Sequence, residues 1–325
     1  VGSKNGPEKS LAREWGFDYS SIPVGKFRRY FDWRNFTDIF KVGFGVLKSL
    51  VVIKRFRPNV IFSKGGYVSV PVLLAGWVLR VPIVIHDSDA IPGLTTKIAS
   101  RLARKICVGY ESAGTYLSKS AQKKVEFTGI PVRPEIEEGD GASGCTLLEF
   151  KANQPIVLIM GGSLGAQNIN NAVWESLTKL TKQAQILHIT GRGKGKGGAK
   201  DSARYKRFEY VGHELNHYYA MADLVVSRAG ANSIAEFQTL GKPMILIPLG
   251  LHQSRGDQIV NAKTMEDKGA AVVIPDDELT GDRLVDAVKE IVRSSQMRNG
   301  MGKNSKSDLH KKAAQEIADI LKKKL

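Results

Sequence analysis

The chain has 325 residues, 42% hydrophobic and 25% charged, which is enough for two domains with ordinary cores and too apolar for a disordered chain. A net charge of +16 draws polyanions (nucleic acid, anionic headgroups or phosphorylated metabolites) without choosing among them. Two distant cysteines, Cys107 and Cys145, offer neither a disulfide framework nor metal-ligand spacing and fit a reducing cytosol; no run reaches the ~18–20 apolar residues of a membrane span, and VGSKNGPEKS is not read as a signal peptide.

The first patterned segment is 26–57, where Phe36, Phe40, Leu47 and Leu50 recur at helical spacing. Lys26, Arg28, Arg29, Arg34, Lys41, Lys48, Lys54, Arg55 and Arg57 surround them. Two readings stand: a core-facing helix with a charged outer face, or a peripheral contact with anionic lipid. Lys41 and Lys48 argue against a span.

From residue 58 onward short apolar runs alternate with helical patterns. PNVIFS (58–63), PIVIHD (82–87) and KICVGY (105–110) read as strands; VPVLLAGWVLR (70–80) and TTKIASRLAR (95–104) read as helices. SKGGYVSVP (63–71) and HDSDAIPGLTTK (86–97) begin at strand C-ends. Asp87-Ser88-Asp89 is formally a D-x-D triplet, but phosphate binding by helix ends elsewhere leaves a metal little role. The alternation lapses between about 131 and 155, where EIEEGDGASGC is acidic, glycine-rich and without period, and reads as a linker between two α/β domains.

The second half repeats the pattern with strands at PIVLIM (155–160), AQILHIT (184–190), ADLVVSR (222–228) and KPMILIPL (242–249). Strands separated by helices predict parallel sheets covered on both faces. After the first of these strands GGSLGA (161–166) combines a glycine turn with a helix start, a device for an anion; it is not G-x-G-x-x-G, so a dinucleotide reading is weak. GRGKGKGGAK (191–200) is a basic loop and not a Walker A sequence. In VVSRAGANSIAEF, Glu236 lies three residues after Ser233, which fits either a capping box or a carboxylate accepting from vicinal ribose hydroxyls. PLGLHQSRGDQIVNAK then sets Asp257 and Gln258 where they could meet sugar hydroxyls. His86 and His188 read as structural; His213, His217 and His252 fall in or near crevice loops, and none has a Ser or Cys partner at triad spacing.

Taken together, SKGGYVSVP, HDSDAIPGLTTK, TGIPVRPE, GGSLGAQNIN, YAMADLVVSRAGANSIAE and the 248–271 segment resemble, in order from about residue 1 to residue 275, the MurG family of UDP-N-acetylglucosamine transferases. The resemblance implies an α/β GT-B fold, two Rossmann-like parallel-sheet domains facing a cleft. Residues 1–133 would form the acceptor- and membrane-facing domain and 134–305 the UDP-GlcNAc domain, with a terminal helix at 306–325 free to pack back on the first. It implies inverting, metal-independent transfer of GlcNAc to undecaprenyl-diphospho-MurNAc-pentapeptide (lipid I) at the cytoplasmic face of the plasma membrane, with no cofactor and no nucleic-acid partner. Carried over residue by residue, the donor site comprises Arg133, Ser163, Gly212, Ala231, Asn232, Ser233, Ile234, Ala235, Glu236 and Gln258, with Asp89, Thr96 and Asp257 as sugar or acceptor candidates.

The chain departs from that pattern in two places. The family's GGTGGH-type loop, which carries a histidine near the reaction centre, has no counterpart in these residues, so no catalytic residue is assigned and the first domain is expected to be N-terminally incomplete. Where the family has H-E-x-N, this chain has Asp87 and Asp89. The alternatives are a donor-binding chain without complete catalysis, a split-enzyme subunit, or a GT-B transferase for another lipid acceptor. A nicotinamide oxidoreductase lacks its glycine fingerprint here, and nucleic-acid binding explains the charge but none of the motifs.

Overall fold

The computed structural model describes the chain except for residues 5, 7, 26–33, 163–164, 196–197 and 324–325, and except for the side chains of 34–39. The chain packs as two units, Val1–Thr128 with Gln315–Leu325, and Gly129–Ala314.

The first unit holds α1 (Glu8–Glu14), α2 (Arg34–Phe56), β1 (Ile61–Ser63), α3 (Ser69–Val78), β2 (Ile83–Asp87), α4 (Leu94–Leu102), β3 (Lys105–Val108), α5 (Lys119–Gln122) and β4 (Val125–Phe127). Its strands form a parallel sheet in the order β1-β2-β3-β4. Beyond it Gly2 makes an isolated parallel bridge with Ser21. A cavity of about 740 Å³ runs along β1, lined by Gly2 and Ser20, by Ile53 and Phe56 of α2, and by Phe62 and the Gly65-Gly66 turn.

One face of α2 packs inward through Gly45, Ser49 and Ile53, spaced four residues apart. The Ser49 hydroxyl is buried and satisfies itself on the Gly45 carbonyl at 2.7 Å. A side chain at Gly45 would strike the Pro23 carbonyl, which is why glycine stands there. The opposite face shows Phe40, Phe44, Leu47 and Val51 to solvent, each between 61% and 72% exposed. The core-facing reading of this segment therefore fails for Phe40 and Leu47; of the four residues it cited, Leu50 is half-buried and Phe36 lies outside the described side chains.

The second unit holds α6 (Gly141–Leu148), β5 (Ile156–Met160), α7 (Gln167–Gln183), β6 (Gln185–Ile189), β7 (Tyr205–Phe208), α8 (Leu215–Met221), β8 (Leu224–Ser227), α9 (Ala231–Leu240), β9 (Met244–Leu246), α10 (Asp257–Asp267), β10 (Ala271–Val273), α11 (Gly281–Arg293) and α12 (Ser295–Ser305). Its six strands are parallel in the order β10-β9-β8-β5-β6-β7. Alternate residues feed two cores. Val157, Ile159, Val226 and Ile245 join Ile169 and Val173 of α7 and Val288 of α11. Ile156, Leu158, Val225 and Leu246 join Tyr219 of α8 and Phe237 of α9. Burial on both faces is what makes these strands continuous apolar runs in the sequence.

Residues 131–155 are not an unstructured linker. Asp140 caps α6 through the Ala142 and Ser143 amides, and Ile136, Cys145, Leu148 and Phe150 are buried. Glycines in DGASGC allow the close contact: a side chain at Gly144 would meet the His217 carbonyl at 2.6 Å. The final helix, α13 (Leu309–Lys322), begins in the second unit, where His310 accepts from the Ile130 amide at 3.1 Å. Its later turns belong to the first unit, with Ile317 against Val84 and Cys107.

Candidate active site

In the second sheet β5 is the first strand in the chain. It pairs with β6 on one side and β8 on the other, so the strand order reverses there. Such a switch point opens a crevice at the strand C-ends. The helices that follow β5, β8 and β9 are α7, α9 and α10, and no side chain caps any of the three starts. Their first-turn amides and positive dipole ends are thus left for a ligand or water.

The turn before α7 needs its glycines. Gly162 and Gly165 have φ of +79° and +68°, and a side chain on Gly165 would collide with the Thr190 carbonyl. Lys194 of the basic loop donates to the Gly165 carbonyl at 3.0 Å, which sets a positive charge beside the turn. Ser163 lies outside the described residues. Behind the turn, the Asn170 amide donates to Thr190 O at 3.1 Å, so its own carbonyl oxygen accepts from His188 Nε2 at 3.0 Å. His188 Nδ1 then accepts from the Tyr205 hydroxyl, also at 3.0 Å. Burial lowers the His188 pKa to about 3 and keeps the ring neutral. This histidine is structural.

The capping-box reading of Ser233 and Glu236 is not realised. Gly230 occupies the cap position, and the Glu236 side chain turns elsewhere. Its Oε2 accepts from the Tyr219 hydroxyl at 2.8 Å, and Oε1 lies 3.7 Å from the Arg133 guanidinium. Burial raises the Glu236 pKa, against the pull of Tyr219 and Arg133. The same burial, with the Glu236 charge, pushes the Tyr219 phenol well up, so it stays a donor. Arg133, 59% exposed, extends its charge from the turn before Pro134–Glu137. Within Ala231–Glu236 the Ala231, Ile234 and Ala235 side chains are buried, leaving Asn232, Ser233 and Glu236 for recognition by side chain.

In the first turn of α10, the Gln258 carbonyl oxygen accepts from the Leu249 amide of the preceding loop at 3.1 Å, which leaves its NH₂ as the recognition end. Asp257 sits beside Arg255, at 3.5 Å. Gly212 is exposed between β7 and α8. His217 is not a crevice residue: it lies in α8, where its Nδ1 accepts from the Asp140 amide at 3.0 Å and ties α8 to α6. His213 and His252 are exposed loop residues.

Asp89 and Thr96 lie in the first unit, Thr96 beside its glycine turn. Gly65 and Gly66 have φ of +84° and +81°, with the Thr96 hydroxyl 3.9 Å from where a Gly65 side chain would begin. Asp87 is spent on structure, accepting from the Asp89 amide at 3.1 Å and the Gly93 amide at 3.2 Å. Among the described residues no three His, Cys, Asp or Glu side chains gather as a metal site.

Sequence reasoning gave no role to Arg228 or Asp276. Arg228 Nη1 donates to Asp276 Oδ1 at 2.5 Å and to the Ile247 carbonyl at 3.2 Å. No spacing rule relates positions 48 residues apart, and only the fold of three successive strands brings them together.

Two Rossmann-like units, the second with open helix starts at its switch point, define a protein of the GT-B class. The crystal structure of MurG from Acinetobacter baumannii superposes with a TM-score of 0.72 at 22% identity, covering 99% of this chain and 89% of that one. The UDP-GlcNAc 2-epimerase of Neisseria meningitidis, solved with UDP-GlcNAc bound, gives 0.65 at 12% identity, covering 97% and 88%. The glycosyltransferase family 28 N-terminal domain matches residues 1–108 and its C-terminal domain residues 156–318. The chain belongs to glycosyltransferase family 28. A Bacillus cereus protein named UDP-N-acetylglucosamine--N-acetylmuramyl-(pentapeptide) pyrophosphoryl-undecaprenol N-acetylglucosamine transferase 2 is 46% identical over 297 residues, 91% of this chain and 84% of that protein. The correspondingly named transferase of Clostridium tetani is 40% identical over 323 residues, 99% of this chain and 88% of that protein.

Proposed function

We propose that this chain transfers GlcNAc from UDP-GlcNAc to lipid-linked MurNAc-pentapeptide, with inversion at the anomeric carbon. The observation that carries this reading is the set of uncapped helix starts at the switch point beside the Arg133–Glu236 pair. The relatives' names supply the donor and acceptor.

In this reading the diphosphate lies on the turn 161–166 and the starts of α7 and α9. Glu236 accepts from the ribose diol, its charge favoured by Arg133 against burial and its carboxylate aimed by Tyr219. The backbone at Gly212 faces uracil, and the Gln258 NH₂ and Asp257 face the sugar. As the glycosidic bond breaks, UDP gains negative charge. Amides and a guanidinium already in place stabilise that charge more in the transition state than in the ground state. Departure of UDP then needs no metal to neutralise it. Asp89 and Thr96, both in the first unit, serve the acceptor.

A lipid-linked acceptor requires a surface from which to reach it. Among the described residues no helix is long and apolar enough to cross a membrane. The face Phe40, Phe44, Leu47 and Val51 of α2, flanked by Lys41 and Lys48, is instead suited to lying on an anionic leaflet. The chain then works as a peripheral protein of the cytoplasmic leaflet.

The test is transfer of labelled GlcNAc from UDP-GlcNAc to lipid I in anionic vesicles. Incorporation that is lost in Glu236→Ala supports the reading. Binding of UDP-GlcNAc without any transfer would favour a donor-binding chain instead.

A further inference from the structure

The Asp276 carboxylate, just after β10 at the sheet edge, gathers donors from three other strand ends. Its Oδ1 takes Arg228, which follows β8; its Oδ2 takes Asn168 Nδ2, in the first turn of α7, at 3.1 Å, and Gln253 Nε2, in the loop after β9, at 3.4 Å. The Arg228 and Asp276 side chains are 9% and 5% exposed, so the charge is shielded and its direction fixed. Arg228 also anchors the end of β9 through Ile247 O.

Within the loop 248–256, Ser254 closes on the Leu249 carbonyl at 3.1 Å and accepts from the Gly256 amide at the same distance. The loop is therefore a preformed unit. Side chains join it to the start of α7 through Gln253, Asp276 and Asn168. One end of that tie is the loop whose Leu249 amide holds Gln258, and the other is the first turn of α7.

We propose that Asp276 is a positioning residue that holds the sugar-facing loop in register with the diphosphate-facing start of α7. This rests on the donor-site reading above. Its consequence is specific. Loosening the tie leaves the diphosphate turn formed by its own glycines and Lys194, but lets Gln258 drift from the sugar. The loss therefore falls on UDP-GlcNAc and spares UDP.

The experiment is calorimetric titration of UDP and of UDP-GlcNAc into the wild type, Gln253→Ala, Asn168→Ala and Asp276→Asn, with thermal melting of each. Gln253→Ala and Asn168→Ala remove partners from the rim without burying a lone charge, so they fold even if Asp276→Asn does not. Each is expected to weaken UDP-GlcNAc about 3- to 10-fold, the worth of one hydrogen bond, and to change UDP less than about 2-fold. Asp276→Asn, where folded, should do the same more strongly. Equal losses for UDP and UDP-GlcNAc, or no loss for either, would overturn the positioning role. A wild type that binds neither ligand would instead overturn the donor-site reading on which it stands.

Discussion

Replacing Glu236 with glutamine separates recognition from packing at one atom. The carboxylate is only 20% exposed, accepts from Tyr219 and faces Arg133 across 3.7 Å. In the donor complex proposed above it would accept from two hydroxyls of one ribose. Hydrogen bonds to a charged acceptor are worth about 1 kcal/mol more each than neutral ones, so losing the charge should cost about 2 kcal/mol, roughly 30-fold in UDP affinity. The fold should not suffer. Glutamine keeps an acceptor for Tyr219 and removes a charge that burial disfavours, so the melting temperature should hold or rise. Glu236→Ala should lower it, because Tyr219 would keep a buried hydroxyl without that partner, at about 1–3 kcal/mol.

A pH series makes the same point on the wild type. The raised pKa means that the folded protein binds the Glu236 proton more tightly than an unfolded chain does. Protonation thus favours the fold but removes the charged acceptor. UDP affinity should fall as the pH drops through that raised value, and Glu236→Gln should show no such slope. Calorimetry with the two variants decides the matter. A Glu236→Gln protein that binds UDP within about threefold of wild type would refute the charged-acceptor argument.

Three further outcomes follow from the geometry. His188 and His310 are both held neutral, with pKa values lowered to about 3 and about 4, so the unfolded chain takes up protons first as the pH falls below 6.5. Each should withdraw about 2 kcal/mol of stability between pH 6.5 and 5, seen as a falling urea midpoint, and a flat profile would contradict the burial argument. Replacing Phe44 and Leu47 together with serine should weaken sedimentation with anionic vesicles by at least roughly 30-fold, at about 1–2 kcal/mol per side chain, while melting stays unchanged. Gly165→Ala should abolish donor binding, because φ is +68° and the added methyl meets the Thr190 carbonyl; unchanged UDP affinity would mean that this turn does not hold the diphosphate.

The parallel strands were legible because both their faces are buried, which writes Ile156–Met160 or Leu224–Ser227 as unbroken apolar runs. Helix α6 was not, because GASGC reads as a turn; Asp140 and close contact with α8 make it a helix. In α2 the period was visible but its direction was not. Only the inward face built from Gly45, Ser49 and Ile53 shows that the aromatic stripe points away. Local spacing likewise left Glu236 between a cap and a ligand. What rules out the cap is non-local: the Glu236 carboxylate turns to Tyr219, 17 residues earlier, and to Arg133, more than a hundred earlier. Asp276 carried no local signal at all, since its partners come from the ends of three other strands.

The most direct test of the whole account is calorimetric titration of the 325-residue chain with UDP-GlcNAc, with UDP-glucose and NAD as controls. Selective binding of UDP-GlcNAc, lost in Glu236→Ala, is the result expected from open helix starts beside a ribose-reading carboxylate. A folded chain that binds no UDP compound would contradict it, and would leave the switch-point crevice without its ligand.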